Sequence, residues 1–135
     1  MPASFFDTNL LVCLASGDAG KADRAEAALA GGGSISVQVL NELTNVARRK
    51  MGMSWADTRA FLDTLRGLLT VHPPTVETHD LGLDLAERYR LSTYDAMIAA
   101  SALHAGCDAL WSEDMQHGLD IDGRLRVMNP FREKA

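Results

Sequence analysis

The sequence predicts a single α/β domain over residues 1–135: a short, mostly parallel sheet of four to five strands, flanked by helices. Two observations lead there. Short apolar runs bounded by Gly, Pro, Ser or Asp alternate with longer segments of helical period. The length and composition, 135 residues with 47% hydrophobic and 23% charged, suit one ordinary core.

Taken in order, Ala3 to Phe6 reads as a buried strand and Leu10 to Ala15 as the helix after it. A second helix, Lys21 to Ala30, places Ala25, Ala28 and Leu29 on one side, and Gly31-Gly32-Gly33 closes it, because glycine accepts the left-handed conformation. No Gly-Lys-Ser/Thr follows the triplet, which argues against a phosphate-cradling loop. Ser34 to Val37 forms a brief strand, and Val39, Leu40, Leu43, Val46 and Ala47 repeat at helical spacing to Met51. Ser54 opens a helix with Asp57 in its capping turn. Val71 lies on a third strand stopped by Pro73-Pro74, and Leu81, Leu83, Leu85 and Ala86 lie in the next helix. Ser92 begins another, running to Gly106. Ala109 to Trp111 is a fourth strand and Leu125 to Met128 a fifth.

Four acids stand at the functional points of this order. Asp7 follows the first strand, Glu42 flanks the apolar stripe of the helix after the second, Asp95 lies one turn into a helix, and Asp114 follows the fourth strand. In a parallel α/β sheet the carboxyl ends of strands crowd together, and ligands bind there. Carboxylates gathered at such an edge repel one another and ionise readily only around a cation. Each acid also has a plain structural reading. Asp7 fits an N-cap, Glu42 a solvated helix position, Asp95 a Ser92-Thr93-Tyr94-Asp95 capping box, and Asp114 a loop acid beside Glu113. Their joint placement favours the cation, and an all-oxygen set suits Mg²⁺ or Mn²⁺ over zinc. His104 and His117 are isolated in sequence, although His117 lies three residues after Asp114.

Thirteen basic and eighteen acidic residues give a net charge of −5, which by itself argues against a non-specific nucleic-acid binder. With the four special acids screened, the remaining fourteen acids nearly match the bases. Basic residues gather at Arg48-Arg49-Lys50 and at Arg124, Arg126, Arg132 and Lys134, so overall charge leaves the partner open. No segment is long and apolar enough for a membrane span, and the start lacks a signal-peptide pattern. The expectation is a cytoplasmic protein. Its two cysteines, Cys13 and Cys107, form no metal-binding pair, and Cys13 reads as a small buried hydrophobe.

Four segments together resemble PIN-domain proteins, most closely the VapC-like toxins of bacterial toxin–antitoxin pairs. They are Phe6-Asp7-Thr8-Asn9-Leu10-Leu11, Ser36 to Leu43, Leu91 to Ala100, and Leu110-Trp111-Ser112-Glu113-Asp114-Met115. The resemblance implies an Mg²⁺- or Mn²⁺-dependent endoribonuclease. It implies Asp7 and Asp95 as main metal ligands, Glu42 and Asp114 completing the acidic catalytic set, and Thr8, Asn9 and Ser112 as polar supports. It further implies an RNA substrate, hydrolysis leaving a 5′-phosphate, a homodimer, and a small antitoxin that covers the site. The chain shows no His/His or His/Lys pair for a metal-free route. The Ser54 to Leu69 helix has more large apolar groups than one buried stripe requires, and these serve either a second internal contact or an interface. A phosphatase of the haloacid-dehalogenase type would want an acid where Asn9 stands, and a receiver domain would want one after the third strand. The rival from another class is a PIN-like module that binds RNA or protein and cleaves nothing.

Overall fold

The computed structural model describes residues 3–131. Arg132 and Lys134 of the basic C-terminal group lie outside the described residues. The elements alternate as the sequence predicts. β1 is Ser4–Phe6, α1 Thr8–Val12 continued by a 3₁₀ turn at Cys13–Ala15, α2 Ala19–Leu29, β2 Ser34–Ser36 and α3 Val37–Arg49. Then come α4 Trp55–Leu68, β3 Thr70–His72, α5 Val76–Tyr89, α6 Thr93–His104, β4 Ala109–Trp111, β5 Asp120–Ile121 and β6 Leu125–Met128.

The sheet has six strands in the order β3-β2-β1-β4-β6-β5, one more than the four to five expected. All pair in parallel except β5, which runs antiparallel to β6. The added strand has only two residues and is closed by Asp122 and Gly123, both at positive φ (57° and 67°). Arg124 N–H donates to Ile121 O at 3.1 Å across that turn. Such a turn twists with its strands, which is why Asp-Gly favours hairpins.

Strand β1 lies inside the sheet, and its Phe5 and Phe6 are fully buried, packed with Ile35, Leu110 and Val127 from neighbouring strands. Gly33 approaches β1 so closely that a Cβ there would clash with the Phe6 ring and Ser4 O. Helix α6 buries Ala96, Ile98, Ala99, Ala100, Ala102 and Leu103, an apolar surface too broad for a helix lying on the outside. It packs against α5 where Gly82 receives Met97, and a Cβ at Gly82 would strike the Met97 sulfur. That seat fixes the N-terminal turn of α6, and with it Asp95.

Side-chain caps start the helices where the sequence places them. Ser54 Oγ accepts the Asp57 N–H at 3.0 Å, and Ser92 Oγ accepts the Asp95 N–H at 3.2 Å. The first helix begins at Thr8, two residues ahead of the Leu10 expected, because Asp7 caps it directly. Cys13 and Cys107 are buried free thiols. In α4 the apolar surplus divides: Leu65 and Leu69 are buried and Phe61 and Leu62 pack on the core, while Trp55 and Leu68 are exposed. Among the described residues no helix is long and apolar enough to cross a membrane.

Candidate active site

Asp7 leaves β1 with extended backbone (φ −76°, ψ 159°) and is only 4% exposed. Its backbone N–H donates to Trp111 O at 3.0 Å, which holds the ends of β1 and β4 together. Its Oδ1 accepts the Thr8 N–H at 2.7 Å and its Oδ2 accepts the Ser112 hydroxyl at 2.7 Å. Ser112 follows β4 and is fully buried. The capping and site readings of Asp7 therefore coexist: one oxygen caps α1, and the other faces the end of β4.

The other three acids come to the same edge. The charges of Asp95 and Asp114 act on Asp7, and those of Asp114 and Glu42 act on Asp95. Thr8 Oγ1 donates to Glu42 Oε1 at 2.5 Å, and the Asn9 side-chain amide donates to Asp114 Oδ2. All seven residues singled out from the sequence thus gather around the carboxyl ends of β1 and β4, the first turns of α1 and α6 and the second turn of α3. Asp95 forms only half of a capping box. Ser92 caps its N–H, and among the described residues no return bond runs from its carboxylate to the Ser92 backbone.

Three details were not legible in the sequence. Gln38 Nε2 donates to Glu42 Oε2 and to Tyr94 O, each at 3.2 Å, so it ties α3 to the start of α6 beside Asp95. The i, i+4 spacing of Gln38 and Glu42 was the available signal. Glu113 turns away from the acids and pairs with Lys21 Nζ at 2.9 Å, which leaves Asp114 as the acid facing the site. His117 Nδ1 accepts the Asn129 N–H at 2.9 Å and is held in the C-terminal packing.

Electrostatics mark this edge. Burial pushes the Asp7 carboxyl up to about 6 from 3.8, opposed by the bonds from Ser112 and Thr8 and reinforced by the charges of Asp95 and Asp114. Burial also raises Asp95, opposed by the Ser92 hydroxyl and reinforced by Asp114 and Glu42. Among the described residues, the charges that shift these two groups are those of other carboxylates.

Among the described residues, no three His, Cys, Asp or Glu side chains are drawn tightly enough to make a ready-built metal cage. The donor set still fits one class of ion. Mg²⁺ binds through one or two carboxylates while keeping several waters, whereas zinc and calcium sites take most of their ligands from the protein. A buried carboxylate bearing two oriented hydrogen bonds, with other carboxylates acting on it, suits such an ion.

The PIN domain family matches residues 4–118. A toxin–antitoxin complex from Klebsiella pneumoniae has the same fold at 22% identity and TM-score 0.75, covering 97% of this chain and 100% of that one. VapC20 of Mycobacterium tuberculosis, a toxin that cleaves the sarcin–ricin loop, aligns at 20% identity and TM-score 0.66, covering 80% and 87%. VapBC2 from Rickettsia felis, bound to a DNA fragment from its promoter, aligns at 20% and TM-score 0.68, covering 94% and 98%. The comparison with curated proteins gives no match.

Proposed function

Because this chain belongs to the PIN-domain family, we propose that it is a metal-dependent endoribonuclease and the toxin of a VapBC-type toxin–antitoxin pair. The observation behind this reading is the convergence of Asp7, Glu42, Asp95 and Asp114 at one strand edge, where the charges acting on buried Asp7 and half-buried Asp95 are, among the described residues, those of other carboxylates. That edge is organised for a cation, and a cation there allows a phosphodiester to approach carboxylates that would otherwise repel it.

Asp7 and Asp95 would hold Mg²⁺ or Mn²⁺. Such an ion, when bound, supplies charge relief on the non-bridging phosphate oxygens and makes water more acidic. The protein's own work is orientation and proton transfer. Thr8 N–H and the Ser112 hydroxyl fix the Asp7 carboxylate, leaving it little freedom to rotate. Thr8 Oγ1 and Gln38 place Glu42, and Asn9 places Asp114. Glu42 or Asp114 takes one proton of the attacking water. A new bond forms from the water oxygen to phosphorus, the bond to the 3′ oxygen breaks, and that oxygen takes a proton from the protonated carboxylate or from solvent, so the product ends carry a 5′-phosphate and a 3′-hydroxyl.

The single domain acts in the cytoplasm as a homodimer, for which Leu68 and Val76, 66% and 72% exposed, are available apolar contacts. A small antitoxin that places a basic side chain against the four carboxylates would silence it. Incubation of purified protein with RNA tests the reading. Cleavage should need Mg²⁺ or Mn²⁺, stop with chelator, and vanish in an Asp95→Asn variant that still folds. Chelator-resistant cleavage contradicts the metal route, and RNA bound without cleavage favours the non-catalytic module. Co-expression with the neighbouring small reading frame should relieve toxicity and give a stable complex.

A further inference from the structure

Beside the acidic edge, along the same helix, lies a groove of opposite character. Asn41, Thr44, Asn45, Arg48 and Arg49 of α3, together with Trp55 at the start of α4, enclose about 500 Å³. No acid lines it, in a chain whose net charge is −5. Asn41 and Asn45 flank Glu42 in sequence. At 1.5 Å per residue, α3 advances roughly 10 Å from Glu42 to Arg49. The groove therefore begins within one turn of a site carboxylate and leads away from it.

Its far end is preorganised. Arg48 donates to Met53 O at 2.6 Å, and its guanidinium lies 4.3 Å from the centre of the Trp55 ring. Although Arg48 covers one side, Trp55 stays 56% exposed. Arg49 is exposed and makes no ion pair among the described residues. An aromatic face beside a free guanidinium, with amide and hydroxyl groups leading to them, matches the demands of unpaired nucleotides: stacking for a base and charge for a phosphate. A duplex keeps its bases stacked on each other and offers none to the ring.

We propose that this groove binds single-stranded RNA flanking the scissile phosphate, with Trp55 stacking on a base and Arg49 pairing with a phosphate. The inference rests on the nuclease reading for its substrate, and a binding assay separates the two.

The assay uses the full chain with Asp7→Asn as an uncleaving background and a labelled single-stranded 12-nucleotide RNA, followed by anisotropy across a salt series. Trp55→Ala should weaken binding by about tenfold and Trp55→Phe much less, since the ring remains. Arg49→Ala should flatten the slope of log affinity against log salt by about 0.7. Unchanged affinity and slope in these variants overturn the groove. So does intact RNA binding alongside loss of the homodimer in light scattering, which would make the surface a protein contact. RNA binding that depends on Trp55, without cleavage by the unsubstituted chain in Mg²⁺ or Mn²⁺, keeps the groove and ends the nuclease reading. Cleavage with binding indifferent to Trp55 does the reverse.

Discussion

Asp84 and Asp122 share the guanidinium of Arg88, whereas Asp7 and Asp95 share only each other's neighbourhood of negative charge. Around Arg88 the pairing is a fork: Nη1 meets Asp122 Oδ1 at 2.6 Å, Nη2 meets Oδ2 at 3.1 Å, and Asp84 lies 2.8 Å away. Tyr89 adds its hydroxyl to Asp122 at 3.1 Å. The Arg88 hydrogen bond holds Asp122 below the usual carboxylate range, while burial drives Asp7 above it. The fold thus supplies an arginine where acids only need to be quiet. At the strand edge it supplies hydroxyls and amides, which orient carboxylates without neutralising them. Among the described residues no cation offsets them.

The largest effect expected from breaking this contrast is on activity. Asp7→Asn or Asp95→Asn should cut RNA cleavage by roughly 10²–10⁴-fold, with the circular dichroism of the folded chain kept. Asp122→Asn should leave cleavage unchanged, and equal losses from both kinds of variant would erase the distinction.

The next effect is on stability, and its sign is opposite to that of a paired acid. Asp7 in the folded chain keeps a proton up to about pH 6, whereas the unfolded group releases it near 3.8. Between those values the folded state binds the extra proton, so this group's contribution to stability falls as pH rises through the window. The difference amounts to about 3 kcal/mol at about 1.4 kcal/mol per tenfold change in acidity. Metal-free Asp7→Asn should therefore be more resistant to urea than the parent at pH 7, by up to about 3 kcal/mol, with the gap closing toward pH 4. A less stable variant at pH 7 would show that Asp7 is not under electrostatic stress.

Smaller still is the loss of one orienting bond. Ser112→Ala leaves Asp7 Oδ2 without its buried donor, at a cost of about 1–3 kcal/mol, and should lower cleavage less than Asp7→Asn does. The comparison of kcat for the two variants checks the order. The smallest effect belongs to the surface fork. Arg88→Ala should lower Tm slightly, by an amount that shrinks with added salt, because exposed ion pairs are screened.

Much of this molecule was legible in its residues, for reasons that differ by region. Apolar period and capping residues fixed most elements, since Ser54 and Ser92 act within one turn of their own helices. Asp7 and Asp114 follow β1 and β4, whose ends in a parallel sheet lie at one edge whatever the loops between them do. Glu42 and Asp95 sit inside helices, and α6 follows α5, so no strand end places Asp95. Strand β5 escaped because two residues carry no period, although Asp122-Gly123 is itself a hairpin signal. The roles of Glu113 and Gln38 escaped for another reason. Lys21 lies 92 residues from Glu113, and Tyr94 lies 56 residues from Gln38, so only tertiary packing brings them together.

The most direct test is calorimetric titration of Mn²⁺ into the purified chain at pH 7, set beside the same titration of Asp7→Asn and Asp95→Asn. The account predicts saturable binding by the parent that is lost or greatly weakened in both variants. Binding of equal strength in all three, or none in the parent, would contradict it.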